Sequence, residues 1–208
     1  MRYDYSIYLV TDRAYINDAA LGDVVEQAVL GGCTMVQLRE SDISSLDFYH
    51  LAKEVKGVTD KYEVPLIINN RIDIALSVDA AGVHVGQKDL PAAAARKIIG
   101  QDRLLGVSVS TLQEALQAQE DGADYLGVGA MFPTRTKKDA KIVPMEVLCA
   151  IRREVRIPLV VIGGIHKGNA AEFAKLGADG LAVVSAILSS PDTRRAAAEL
   201  REAFISME

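Results

Sequence analysis

Eight short runs of aliphatic and β-branched residues recur along the 208-residue chain and leave little choice of fold. They are Ile7–Thr11, Thr34–Leu38, Pro65–Asn69, Gly82–Gly86, Leu104–Ser108, Tyr125–Gly129, Pro158–Ile162 and Leu181–Ser185. Most are continuously apolar rather than alternating, the pattern of parallel strands buried on both faces. Between them lie stretches with helical spacing, such as Val24-Val25-Ala28-Val29, Phe48-Leu51-Ala52-Val55, Ala115-Leu116-Ala118-Gln119 and Val147-Leu148-Ile151. Eight strand–helix units in about 200 residues predict a compact (β/α)8 TIM barrel, one α/β domain over residues 1–208. An open doubly wound sheet would need fewer strands and a phosphate fingerprint after the first, and no G-x-G-x-x-G follows Thr11.

A weak internal echo agrees with the barrel. Gly31-Gly32-Cys33-Thr34, Asp79-Ala80-Ala81-Gly82, Asp121-Gly122-Ala123-Asp124 and Leu176-Gly177-Ala178-Asp179 each stand just before a strand, where glycine is a natural end to the preceding helix. Composition narrows the functional classes. Half of the residues are hydrophobic and a quarter charged, as in a globular protein with a sizeable core. A net charge of −5 argues against a nonspecific grip on nucleic acid or anionic membrane. No apolar stretch approaches the roughly 20 residues that span a bilayer, and the N-terminus lacks the pattern of a secretory signal, so a cytoplasmic protein is expected. Cys33 and Cys149 match no metal-binding spacing and read as small buried side chains in a reducing compartment.

In a TIM barrel the chemistry sits at the C-terminal ends of the strands. There this chain places Gln37 and Arg39, Asn69 and Asn70, Asp89, Ser108, the loop Thr134-Arg135-Thr136-Lys137-Lys138, Gly163-Gly164, and Val184-Ser185. Gln37 and Arg39 are two apart and share a strand face. The Arg39 fork suits a phosphate or carboxylate oxygen, or else forms an ion pair with Glu40 or another neighbour. Gly163-Gly164 and Ser185 fall where barrels bind phosphate through backbone N–H groups. The cationic 134–138 loop reads as a second anion site on a βα loop. Asp89 and Asn70 offer oxygen ligands of the kind Mg²⁺ takes beside phosphates, or Asp89 caps the helix that begins near Pro91. His84 lies within a strand and reads as packed rather than catalytic, and no nucleophile–base arrangement is apparent.

These segments resemble the thiamin phosphate synthase family from end to end. The resemblance is carried by Tyr8-Leu9-Val10-Thr11-Asp12, Val36-Gln37-Leu38-Arg39-Glu40, Gly82-Val83-His84-Val85-Gly86-Gln87, Pro133 to Asp139, Ile162-Gly163-Gly164-Ile165 and Val184-Ser185-Ala186-Ile187. It implies a barrel that joins a pyrimidine diphosphate to a thiazole phosphate, with Mg²⁺, and releases pyrophosphate. By position, Gln37, Arg39, Ser41, Asn69, Ser108 and Lys137 would hold the pyrimidine diphosphate, with Arg39, Lys137 and Ser108 in catalytic roles. Thr134, Thr136, Gly164, Val184 and Ser185 would hold the thiazole phosphate, and Asn70 and Asp89 the metal. Two positions depart from the family's commonest form: Ser41 stands where Lys is frequent, and Asn70 where a metal-binding Asp is frequent. The first removes one cation from the diphosphate site, for which Lys88 and Lys138 are candidate replacements, and the second removes one charge from the metal site and weakens it. Two other readings share the phosphate features. One is a thiazole tautomerase, against which stand the 134–139 loop and the absence of a His in the run around Ser108. The other is a silent thiazole-phosphate-binding barrel. The expected partners are small molecules, and a homo-oligomer is compatible with the sequence.

Overall fold

The computed structural model describes residues 3–16, 19–134, 136 and 141–206. The apolar runs become β1 (Ile7–Val10), β2 (Met35–Leu38), β3 (Leu66–Asn69), β4 (Gly82–Val85), β5 (Leu104–Val109), β6 (Tyr125–Gly129), β7 (Leu159–Ile162) and β8 (Gly180–Val183). Every neighbouring pair is parallel, and β1 pairs with both β2 and β8, so the sheet closes on itself in chain order. The predicted TIM barrel is thus the observed one. Its strands are buried on both faces, which is why their sequences do not alternate.

Helices α1 (Leu21–Leu30), α2 (Ser45–Lys61), α3 (Ile72–Ser77), α4 (Ala92–Ile99), α5 (Leu112–Glu120), α6 (Met145–Glu154), α7 (Ala170–Lys175), α8 (Ser185–Leu188) and α9 (Thr193–Ile205) surround the barrel. Each long one turns a narrow apolar stripe inward, for example Phe48, Ala52 and Val55 of α2 and Leu148 and Ile151 of α6. The pre-strand echo has a conformational cause. Gly32, Gly122 and Gly177 lie at φ +104, +89 and +79, the left-handed conformation that ends a helix and turns the chain back to the sheet. At the Asp79 echo an aspartate takes φ +53 instead.

Two of these turns carry the same ionic staple. The Asp124 carboxylate receives the Arg96 guanidinium and the N–H of Leu105, the second residue of β5. The Asp179 carboxylate receives Arg152 at 2.9 Å and the Leu159 N–H that opens β7 at 2.8 Å. Each aspartate therefore ties a helix to the start of a strand, within its first two residues, at the end of the barrel away from the candidate chemistry.

One boundary differs from the sequence reading. The apolar run Leu181–Ser185 does not continue as strand to Ser185. Backbone angles of φ −119 and ψ −84 at Val184 turn the chain, and Ser185 becomes the first residue of α8. No described helix is long and apolar enough to cross a membrane.

Candidate active site

On seven of the eight strands, residues two apart face into the barrel toward its C-terminal mouth, and β3 adds Asn69. Tyr8 and Val10, Gln37 and Arg39, His84 and Gly86, Ser108 and Ser110, Tyr125 and Gly127, Val160 and Ile162, and Ala182 and Val184 all line one cavity of about 590 Å³. Barrel interiors are ordinarily filled by bulky branched residues. Here Gly127, Gly129 and Ala182 occupy inward positions and keep the mouth hollow.

Every described residue expected to touch substrate or metal reaches this cavity. Gln37, Arg39, Ser41, Asn69, Asn70, Asp89, Ser108, Thr134, Thr136, Gly164, Val184 and Ser185 all line it. Lys137 lies outside the described residues, as do Arg135, Lys138 and Asp139. The structure thus brings together the two groups of residues, one from β2 to β5 and the other from β6 to β8.

Arg39 does not pair with Glu40. The buried Glu40 carboxylate is taken by Arg13, whose Nε and Nη2 lie 2.8–3.1 Å from it, while the Arg39 guanidinium has Asp12 beside it at 3.6 Å. Asp12 in turn caps the short 3-10 turn Arg13–Tyr15 through Ala14 N–H. The Arg39 guanidinium is therefore left beside the cavity with a loose acidic neighbour, an arrangement suited to an incoming anion.

Asp89 is not the cap of α4. That position belongs to Pro91, and Asp89 Oδ2 instead accepts the Gly86 N–H at 2.7 Å, closing the turn after β4. Asn70 sits at φ +61, a left-handed conformation that asparagine tolerates, and its N–H donates to the His84 carbonyl. The two oxygen-bearing side chains thus stand on the ends of adjacent strands. Among the described residues no cluster of three or more His, Cys, Asp or Glu forms a self-sufficient metal cage.

On the opposite wall the loop after β6 runs beside the end of β7, Met131 N–H donating to the Ile162 carbonyl and Phe132 N–H to that of Gly163. Close approach requires both glycines. Gly163 and Gly164 lie at φ +97 and +67, and a Cβ on Gly164 would stand 2.6 Å from Phe132 Cβ. Across from them α8 begins at Ser185. Its first internal bonds run from Ile187 and Leu188 to the Val184 carbonyl, so the amides ahead of these have no partner within the helix. Thr134 and Thr136 complete this wall, and Thr136 Oγ1 reaches the Tyr15 hydroxyl at 3.4 Å.

The sequence reading missed the floor. Tyr8, His84 and Tyr125 line the base of the cavity. The His84 ring bridges Tyr125 Oη, 3.1 Å from Nδ1, and Ser108 Oγ, 2.8 Å from Nε2. Burial pushes the Tyr8 and Tyr125 hydroxyls well above the usual phenol range, so both stay protonated. The imidazole sought in the chain around Ser108 is thus supplied by the neighbouring strand. Its parity with Gly86 was the available signal.

A closed parallel barrel with a hollow, anion-ready mouth defines a TIM-barrel protein that acts on phosphorylated small molecules. Comparison with known proteins narrows this. The model of the thiamine monophosphate synthase family matches residues 7–187. A thiamine-phosphate synthase from Clostridium beijerinckii is 58% identical over 206 residues, 99% of each chain. One from Ruminiclostridium cellulolyticum is 57% identical and covers 99% of this chain and 98% of its own. The solved thiamine phosphate pyrophosphorylase from Pyrococcus furiosus superposes with a TM-score of 0.89 at 39% identity, over 97% of this chain and 96% of that one. The chain belongs to the thiamine monophosphate synthase family.

Proposed function

We propose that this cavity joins 4-amino-2-methyl-5-(diphosphooxymethyl)pyrimidine to a thiazole phosphate, giving thiamin phosphate and pyrophosphate. A transferase function in thiamin biosynthesis follows from family membership over the whole chain. The observation that carries the finer reading is the single cavity with two unlike anion-binding walls, Arg39 on one and the Gly163-Gly164 and Ser185 backbone on the other. Two phosphorylated substrates can meet there without sharing a subsite.

In this reading Gln37, Asn69 and Ser108 hold the pyrimidine, and Arg39, Ser41 and Lys137 its diphosphate. Thr134, Thr136, Gly164, Val184 and Ser185 hold the thiazole phosphate. The C–O bond to the diphosphate breaks with its electron pair leaving on pyrophosphate, the pyrimidine ring stabilises the methylene cation, and the thiazole nitrogen supplies the pair that forms the new C–N bond. Arg39 and Lys137 stabilise the charge that grows on the departing oxygens. The donor set fits Mg²⁺: the Asp89 carboxylate and the Asn70 amide are hard oxygen donors, and substrate oxygens would complete the sphere. Bound there, the ion would neutralise the diphosphate. Residues 1–208 act as one domain in this scheme, with a cytoplasmic location and small molecules as partners. Burial pushes the Cys33 thiol up to about 12, in keeping with an inert packed side chain.

The test is incubation of the purified protein with both substrates and Mg²⁺, scored by thiamin phosphate. His84 beside Ser108 restores a proton carrier to the tautomerase alternative. Isomerisation of the thiazole without pyrimidine would favour that reading. Binding of thiazole phosphate without any turnover would favour the silent barrel.

A further inference from the structure

A buried chain of hydrogen bonds crosses the floor of the barrel from β2 to β5. Gln37 Nε2 donates to Tyr8 Oη at 2.9 Å, the Tyr8 and Tyr125 hydroxyls lie 2.7 Å apart, and Tyr125 Oη reaches His84 Nδ1, whose ring reaches Ser108 Oγ through Nε2. The two ends are residues already assigned to the pyrimidine, and the three between them have no role in that assignment. We propose that Tyr8, Tyr125 and His84 are positioning residues that fix an acceptor at Gln37 and a donor at Ser108, and so select an amino-substituted pyrimidine over its oxo counterpart. The proposal rests on the pyrimidine reading of the site given above.

The direction follows from counting hydrogens. Tyr8 is 1% exposed and Tyr125 fully buried, and each hydroxyl keeps its single hydrogen. Tyr8 accepts from Gln37. If it passes its own hydrogen to Tyr125, then Tyr125 donates to His84 Nδ1. A neutral ring in that order carries its proton on Nε2 and donates to Ser108 Oγ, which frees the Ser108 O–H for the cavity. In the opposite order Tyr8 would accept from both Gln37 and Tyr125, leaving its own hydrogen without an acceptor in the chain. A buried orphan of that kind is costly. Because Gln37 Nε2 donates to Tyr8, the Gln37 carbonyl oxygen is the group left to a ligand. An amine hydrogen paired with Gln37 and a ring nitrogen paired with Ser108 match that pattern. An oxo group with its protonated ring nitrogen inverts it.

The fold makes room for the chain. A Cβ on Gly106 would fall 2.3 Å from Tyr125 Oη and 2.4 Å from His84 Nδ1, and one on Gly127 would lie 3.0 Å from His84 Cε1. The Tyr125 ring is wedged between Tyr5 and Tyr8, with ring centroids 5.3 and 5.8 Å away.

The experiment measures binding of the 4-amino pyrimidine diphosphate, its 4-oxo analogue and inorganic pyrophosphate to the whole protein with Mg²⁺. Wild type should prefer the amino form at least tenfold. Tyr125→Phe should lose most of that preference while holding inorganic pyrophosphate unchanged. Tyr5→Phe removes the hydroxyl of a ring that packs on Tyr125 but lies outside the chain, and should keep the preference. Should Tyr125→Phe fail to fold, Tyr8→Phe breaks the chain one bond nearer Gln37 and carries the same expectation. An amino-to-oxo ratio in the folded variant equal to that of wild type overturns the proposal. Wild type binding the amino form no better than inorganic pyrophosphate overturns the pyrimidine reading itself, and this proposal with it.

Discussion

Arg13 grips both carboxylate oxygens of Glu40, 2.8–3.1 Å away, and so keeps that buried acid from its sequence neighbour Arg39. Glu40 is only 5% exposed at its side chain and lines the same cavity, so its charge needs a partner. Arg13→Ala should release Glu40 to compete for Arg39 and to repel a diphosphate. The expected outcome is a severalfold rise in KM for the pyrimidine diphosphate with kcat little changed. Arg39→Lys should lose about tenfold or more in kcat/KM, because an ammonium cannot reproduce a bidentate fork. Steady-state kinetics on both variants checks this, and wild-type values in Arg39→Lys would return Arg39 to a structural role.

Lys137 is the second cation assigned to the leaving group. If its ammonium meets the charge that grows on pyrophosphate, Lys137→Ala should cost on the order of a hundredfold in kcat/KM. Lys138→Ala serves as the control, expected to be nearly silent. The reverse ranking would shift the assignment by one residue along the loop.

The barrel was legible because burial on both faces wrote eight short runs, most of them continuously apolar. The shared face of Gln37 and Arg39 was legible because strand parity is strict. What escaped depends on register between strands, which sequence does not state. His84 and Ser108 are 24 residues apart and meet because β4 pairs with β5 with His84 opposite Gly106. Tyr8 and Tyr125 are 117 apart and meet across the barrel. The end of β8 escaped for a different reason: Val184 is apolar like the strand before it, and only its backbone angles reveal the turn into α8. Asp89 lines the mouth, and its turn-closing bond to Gly86 has no signature in the sequence.

Gly164 should tolerate no side chain. At φ +67 an alanine is strained by about 1–2 kcal/mol, and its Cβ would push on Phe132. Gly164→Ala should raise KM for the thiazole phosphate at least tenfold while leaving affinity for the pyrimidine diphosphate near wild type. Gly57→Ala is the contrasting case. Gly57 lies within α2 with nothing within 4 Å of a new Cβ, so the change should stabilise by about 0.5–1 kcal/mol. Calorimetry and kinetics on the pair separate the two effects.

The two aspartate staples should differ in worth. Arg96 is 8% exposed at its side chain and Arg152 27%. Asp124→Asn leaves the more deeply buried guanidinium without a countercharge and should cost about 1–3 kcal/mol, a fall of several degrees in Tm. Asp179→Asn should cost less, since the more exposed pair is better screened. Both variants should keep wild-type kcat, as the staples lie at the far end of the barrel. Equal Tm losses would mean that the bonds to Leu105 and Leu159 N–H, common to both staples, carry the effect.

The last prediction concerns the metal. Asn70 and Asp89 stand on the ends of β3 and β4, and Asp89 has already committed Oδ2 to the Gly86 N–H. Asn70→Asp would add a charge where a hard cation is expected. A unit charge about 4 Å from another is worth about 4 kcal/mol at an effective dielectric of 20, and the carboxylate's own desolvation cancels a large part. The Mg²⁺ concentration for half-maximal rate should therefore fall by about tenfold. Asp89→Asn would leave two neutral amides, while its side-chain oxygen could still accept from Gly86 and hold the turn. The fold should survive, and Mg²⁺ should no longer saturate. A Mg²⁺ titration of initial rate at saturating substrates, run beside thermal melts, reads both effects. Three superimposable Mg²⁺ curves would remove both residues from the metal site and leave Asp89 as the residue that closes the turn after β4.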